Sequence, residues 1–228
     1  MNLNNKTLRR EVKFVSNEIF LPKISAWIYT SRLHLTKQFN QRRVNNIYYD
    51  TYGCDAYADN LDGISKRVKL RYRWYGNNRN PQNGSIEIKK RLNAFGFKEA
   101  YNVPISGTIL SHKELKKNIR KNVPQQRIPF LDYYSEPILL NCYVRDYYIS
   151  QCKKIRITID KNHGVYDQRF RDNINTKVAA NILRYIVVEI KFHPNLTEYV
   201  SAKIHDIPMR FSRNSKYINS VNSILWIK

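Results

Sequence analysis

The chain has 228 residues, with 40 Lys+Arg against 18 Asp+Glu, a formal charge of +22, and 42% hydrophobic and 13% aromatic residues. That is enough apolar material for a core and too much for a disordered chain, while a positive field of this size calls for a nucleic acid, a phosphate polymer or an anionic membrane surface. The three cysteines (Cys54, Cys142, Cys152) form no CxxC or His/Cys cluster, the leader MNLNNKTLRREVKF lacks an apolar signal core, and no run of about 18 apolar residues occurs, so neither a zinc site nor a disulfide framework is indicated and a soluble, cytoplasmic protein is expected.

In chain order, residues 9–15 alternate, with Arg9, Glu11 and Lys13 on one side and Val12 and Phe14 on the other, which predicts a strand. Residues 21–35 read as a helix with Pro22 in its first turn and a core stripe of Ile24, Trp27, Ile28 and Tyr29. Residues 44–50 predict a strand, and 55–61 a short helix closed by Gly63. The stretch 66–75 has Arg67, Lys69, Arg71 and Arg73 on one face and Val68, Leu70, Tyr72 and Trp74 on the other. A Gly/Asn/Pro loop (76–84) leads to strands at 85–91, with Glu87, Lys89 and Arg91 together, and at 97–103. Ser111 and Glu114 make a capping box for a charged helix over 111–120, and the proline-bearing 121–137 reads as connecting loop. Strands follow at 139–149 around Arg145, at 154–160 (Lys154, Arg156, Thr158 and Asp160 opposite three isoleucines) and at 185–192 (Glu189 and Lys191 opposite Val188, Ile190 and Phe192). Helices close the chain at about 196–204 and 213–225. His34, His163, His193 and His205 look like surface or loop residues, and no linker divides the chain.

The basic strand 66–75 organises this reading. Four cations about 7 Å apart along one strand face repel one another, and an ordinary solvent face would mix in acids, so this face suits a polyanion. At least six strands pair an apolar face with a charged one. The helices at 22–35, 111–120 and 213–225 can cover the apolar face, leaving the charged faces to water or, if the strands close, to each other across a lumen. Such a lumen binds polyphosphate strongly, and carboxylates in it suit a divalent metal such as Mg²⁺ or Mn²⁺.

Arg9-x-Glu-x-Lys-Phe14, Tyr48-Tyr-Asp50, Leu70-Arg-Tyr-Arg-Trp-Tyr75, Glu87-x-Lys89, Arg156-x-Thr-x-Asp160, Val188-Glu-x-Lys191 and Arg213-Asn-Ser-Lys-Tyr217 occur in that order over nearly the whole chain. Together they resemble the VTC domain, the polyphosphate polymerase branch of the CYTH-like triphosphate tunnel metalloenzymes. The resemblance implies an α+β fold over 1–228 as a single domain: an eight-stranded antiparallel β-barrel, the triphosphate tunnel, with helices packed on the outside. It implies transfer of the ATP γ-phosphoryl group to a growing inorganic polyphosphate chain with a divalent metal, Mn²⁺ or Mg²⁺. Carried onto matching positions, Lys13, Arg71, Arg73, Lys89, Lys98, Arg145 and Arg156 line the phosphate path and Lys69 and Lys191 add to it. Arg213 and Lys216 guard one mouth, Glu189 is the metal ligand, and Glu11 and Glu87 either join it or pair with the cations. The superfamily's first strand reads ExExK, whereas Arg9 stands at the first acid position here, which favours the basic, polymer-handling branch.

Two rival readings share the same residues: a metal-dependent triphosphatase, and a module that binds polyphosphate or nucleic acid without turnover. Nucleic acid is not the expected partner, because the cations lie on inward-capable faces and no RRM, KH or zinc-finger signature appears. A polymerase threading its product through a membrane calls for a membrane-protein partner.

Overall fold

A computed structural model describes residues 9–92, 95–212 and 214–225. The strands are β1 (Arg10–Asn17), β2 (Thr36–Asp50), β3 (Lys66–Tyr75), β4 (Gly84–Leu92), β5 (Phe95–Val103), β6 (Glu136–Ile149), β7 (Arg156–Asp167), β8 (Tyr185–Phe192) and β9 (Arg210–Phe211). The helices are α1 (Leu21–Thr30), α2 (Asp55–Leu61), α3 (His112–Lys121), α4 (Ile128–Tyr133), α5 (Thr197–Lys203) and α6 (Lys216–Leu225). The fold is therefore α+β. The hydrogen-bonded strand order is β5-β4-β3-β2-β6-β7-β8-β1-β9, and the β1–β8, β1–β9, β2–β3, β3–β4, β4–β5 and β7–β8 pairs are antiparallel. Among the described residues the sheet has nine strands rather than the expected eight, and the order runs from β5 to β9 without a pairing that closes it into a ring.

The chain divides into two compact units, Met1–Arg42 with Val144–His163 and Leu183–Asn214, and Arg43–Tyr143 with Gly164–Ile182 and Ser215–Lys228. In the first unit, α1 and α5 bury Ile24, Trp27, Ile28 and Val200 against Phe14 of β1, Ile157 and Ile159 of β7 and Ile186, Val188 and Ile190 of β8. Trp27 Nε1 donates to Asp206 Oδ1 at 2.9 Å. Tyr29, expected in this core, is 82% exposed. At 100° per residue it lies about 140° round the helix from Ile24, so it cannot share that stripe. The helix stops at Thr30, short of the expected residue 35, where Ser31 turns extended.

In the second unit, the apolar face of β3 (Leu70, Tyr72, Trp74) joins Ile47 and Tyr49 of β2 and Ile86 and Ile88 of β4. Leu115 and Ile119 of α3 and Leu131 of α4 cover it. The Ser111 Oγ accepts from Glu114 N at 3.2 Å, as the capping box predicts. α4 falls inside the segment expected to be loop; Pro129 serves its first turn. α6 differs from expectation more consequentially. Tyr217, Val221 and Ile224 pack with Tyr48 and Leu139, and Tyr48 pairs with Arg71, so α6 covers the charged face of this sheet and not the apolar one.

Two histidines depart from the loop reading. His163 lies within β7 and stacks on Tyr185 with centroids 4.2 Å apart. His112, which the sequence did not single out, is 4% exposed at the start of α3, with Nε2 at 3.2 Å from Gln168 Oε1. Burial, more than any neighbouring charge, pushes its imidazole down to about 4. An unfolded chain takes up this proton below about pH 6.5 and the folded chain does not until about pH 4, so folding stability falls across that window, by about 3 kcal/mol. Denaturant unfolding at pH 7 and pH 4.5 should show that loss in the wild type and much less of it in His112→Gln. Equal losses in the two proteins rule the histidine out as its source.

Candidate functional site

The charged face of the second unit is built by strand register. Antiparallel partners share a face, so β3 opposes Lys69 to Lys89 and β4 opposes Lys89 to Lys98, setting three lysines side by side at the strand spacing of about 4.8 Å. Arg67 opposes Arg91 in the same way. Like charges in direct cross-strand pairs destabilise a sheet. Within this row Lys98 is offset by Glu87 at 2.8 Å.

Next to it stands a clasped carboxylate. Glu87 Oε2 accepts from Arg71 Nε at 2.8 Å and Nη2 at 2.7 Å, Oε1 accepts from Lys98 Nζ at 2.8 Å, and Arg73 Nη1 lies 3.8 Å away. Burial would raise the Glu87 carboxyl, but Arg71, Arg73 and Lys98 together hold it down at about 2. Arg71 also donates to Tyr48 OH at 3.1 Å, and Arg73 donates to Asn46 Oδ1 at 2.8 Å and Tyr143 OH at 3.3 Å. Burial disfavours the Arg71 charge, yet Tyr48, Glu87 and Tyr143 more than compensate and raise its pKa. Both guanidiniums are thus fixed in orientation, the condition for planar, bidentate recognition of phosphate. Just before α6, Ser215 Oγ accepts from Lys69 Nζ at 2.9 Å, and Nζ of Lys216, the first residue of that helix, lies 4.9 Å from the Tyr143 ring centroid.

The first unit carries its own charged face. β1 and β8 oppose Glu11 to Lys191 and Lys13 to Glu189, while β7 brings Arg156 opposite Lys191 and Thr158 opposite Glu189. Lys13 pairs with Glu11 at 2.8 Å, and Lys191 with Glu189 at 2.5 Å and Glu11 at 3.8 Å. Lys13 Nζ also donates to Asn214 O at 3.1 Å. Arg145 makes a bidentate pair with Asp160, at 2.6 and 2.8 Å. Asp160 is fully buried within β7, which runs on to Asp167, and orients Arg145.

The sequence-predicted residues therefore fall into two sets: Lys69, Arg71, Arg73, Glu87, Lys89, Lys98 and Lys216 in the second unit, and Glu11, Lys13, Arg145, Arg156, Glu189 and Lys191 in the first. Arg213 lies outside the described residues. Sequence reasoning gave no role to Asn46, Tyr48, Tyr143 or Ser215, which orient the cations. The alternation Asn46, Tyr48, Asp50 along β2 was a signal that could have found two of them.

Among the described residues no group of three or more His, Cys, Asp and Glu could hold a metal ion by itself. Glu87 has both oxygens engaged by cations. Glu11 also has both oxygens near cations, Oε1 at 2.8 Å from Lys13 and Oε2 at 3.8 Å from Lys191. Glu189 instead pairs with Lys191 through Oε1 and lies opposite Thr158, whose buried Oγ1 has no hydrogen-bond partner, so Glu189 fits a hard cation best. Mg²⁺ commonly takes only one or two carboxylates when phosphate oxygens are available.

Among solved structures, a Vibrio parahaemolyticus protein provisionally described as an adenylate cyclase matches 92% of this chain and 96% of its own, with a TM-score of 0.50 and 13% identity, a likeness of fold alone. No curated protein matches significantly. The family model of the VTC domain matches residues 8–225, which takes in both charged faces and every strand. The chain belongs to the VTC domain family.

Proposed function

We propose that this chain is a polyphosphate polymerase that transfers the γ-phosphoryl group of ATP to the end of an inorganic polyphosphate chain. The observation that carries the reading is the cross-strand row Lys69–Lys89–Lys98 beside the fixed Arg71 and Arg73. Arginines with locked orientation grip individual phosphoryl groups, while lysines in a row supply point charge to a polymer that must slide. The terminal oxygen of polyphosphate attacks the γ-phosphorus, the bond from that phosphorus to the bridging oxygen breaks, and ADP leaves. The attacking end is already anionic near neutral pH, so a dedicated general base is not required, and positioning with charge neutralisation does most of the work.

Arg71, Arg73, Lys69, Lys89 and Lys98 bind and orient phosphate in this proposal, with Lys216 beside them, and Glu87 holds the arginines in place. Lys13, Arg145, Arg156 and Lys191 supply further phosphate contacts. Glu189 would hold a divalent metal, Mn²⁺ or Mg²⁺, which when bound neutralises charge on the transferred phosphoryl group. A membrane-protein partner is proposed for any export of product across a bilayer; no helix among the described residues is long and apolar enough to cross a membrane.

The test is incubation with ATP and Mn²⁺, with and without a short polyphosphate primer, followed by gel analysis and orthophosphate assay. Long chains with ADP are the expected result. Orthophosphate alone would replace the polymerase with a triphosphatase; tight polyphosphate binding without either product would leave a binding module.

A further inference from the structure

The start of α6, with Ser215 just before it, is tied separately to each of three cations on β3. Lys69 donates directly to Ser215 Oγ. Arg71 donates to Tyr48 OH, and the Tyr48 ring stacks on Tyr217 with centroids 5.1 Å apart and planes at 23°. Arg73 donates to Tyr143 OH, and the same ring lies under Lys216 Nζ. Three consecutive residues, Ser215, Lys216 and Tyr217, thus meet Lys69, Arg73 and Arg71.

What seats that turn is Asp50, the last residue of β2, which is fully buried. Its Oδ1 accepts from Thr51 N at 2.7 Å and Ala56 N at 2.8 Å, and its Oδ2 from Tyr57 N at 3.0 Å and from Tyr217 OH. Serving the N-terminus of α2 would need only the backbone donors. The fourth bond reaches a different helix, and the residue it holds is the one stacked on Arg71's partner. A carboxylate receiving four donors is a stiff mount, because moving any one of its partners exposes unpaired charge in a buried place.

We propose that Asp50 and Tyr217 are positioning residues for the phosphate grip: together they seat α6 so that Tyr48 and Tyr143 keep Arg71 and Arg73 oriented and Lys216 at hand. This rests on the polyphosphate reading above. Neither residue touches the phosphate path through a cation of its own; both act through Tyr48 and the helix turn.

The experiment is calorimetric titration of the full chain with inorganic tripolyphosphate at fixed salt, for the wild type, Tyr217→Phe and Tyr57→Phe. Tyr217→Phe keeps the stack on Tyr48 and loses the bond to Asp50. Its dissociation constant should rise about fivefold, the value of one hydrogen bond, with stoichiometry unchanged. Tyr57→Phe loses a 2.6 Å bond to Asn222 that also joins α2 to α6 but lies off this relay, and should bind as the wild type does even with a lower melting temperature. A merely structural role gives the opposite split, in which the bound fraction falls and the affinity of the folded remainder stays the same. Should Tyr217→Phe fail to fold, Tyr48→Phe, which removes the hydroxyl that Arg71 uses, is expected to weaken binding in the same way. Wild-type binding with unchanged affinity in the variants overturns this inference alone. A wild type that does not bind tripolyphosphate overturns the polyphosphate reading and this inference with it.

Discussion

Glu87→Gln should destabilise the protein by about 3 kcal/mol, and added tripolyphosphate should recover much of that loss. Glu87 is 5% exposed and neutralises Arg71, Arg73 and Lys98 at once. Glutamine keeps the shape and one acceptor oxygen but leaves clustered cations without their counter-charge, and breaking one side of a buried ion pair typically costs about 3–5 kcal/mol. The lower end is expected here because Lys98 reaches solvent. The same ion pairs set a pH dependence: with the Glu87 carboxyl held down at about 2 in the fold against about 4.5 unfolded, its contribution should be fully present above pH 4.5 and lost as pH falls toward 2, about 3 kcal/mol in all. A phosphate polymer can stand in for the missing carboxylate, and a ligand at about a hundred times its dissociation constant adds about 2.7 kcal/mol to any protein it binds only in the folded form. Urea unfolding with and without tripolyphosphate checks this. The ligand should stabilise Glu87→Gln more than the wild type. Equal stability of the two proteins without ligand would mean that the cations are solvated singly and that Glu87 is not their anchor.

Much of this arrangement was legible in the residues. The ten-residue strand at 66–75 is where alternation placed it, because Leu70, Tyr72 and Trp74 have only one way to share a face and the arginines take the other. Ser111 announced α3 through its cap. What failed to show was long-range. The apolar stripe Tyr217, Val221, Ile224 says that α6 buries one side, but nothing local says against which face of the sheet, and the answer depends on Tyr48 being an aromatic residue on an otherwise polar face. The first half of β2, residues 36–43, is exposed along most of its length, so it carries no hydrophobic period to read. The role of Asp50, the last residue of β2, did not show because its partners Ala56, Tyr57 and Tyr217 come from α2 and α6. Glu87 could be seen to share a face with Lys89, yet its capture by three cations needed the register of β3 and β5 against β4.

Adjacent residues on β3 should fail in opposite ways. Arg71→Ala removes a guanidinium from the charged face and leaves Glu87 with Lys98 and Arg73, so the protein should fold cooperatively with a stability cost below about 2 kcal/mol. Turnover and tripolyphosphate affinity should both collapse, since the lost group is the one held in place by Glu87 and Tyr48 for phosphate. Leu70→Ala acts one residue away on the other face. Leu70 is 2% exposed among Ile47, Tyr72, Ile88 and Leu115, and truncating it should cost about 2–5 kcal/mol through lost burial and the cavity left behind. The folded fraction of Leu70→Ala should still bind tripolyphosphate with wild-type affinity, because the charged face rests on strand register that truncating one core side chain by three carbons does not shift. Thermal unfolding and calorimetric titration on both variants separate the cases. Two variants that lose stability alike, or lose binding alike, would show that the faces of β3 are not divided between core and phosphate. The distinction is sharp because the side-chain period of a strand is two, so a one-residue error in register would exchange the two phenotypes rather than blur them.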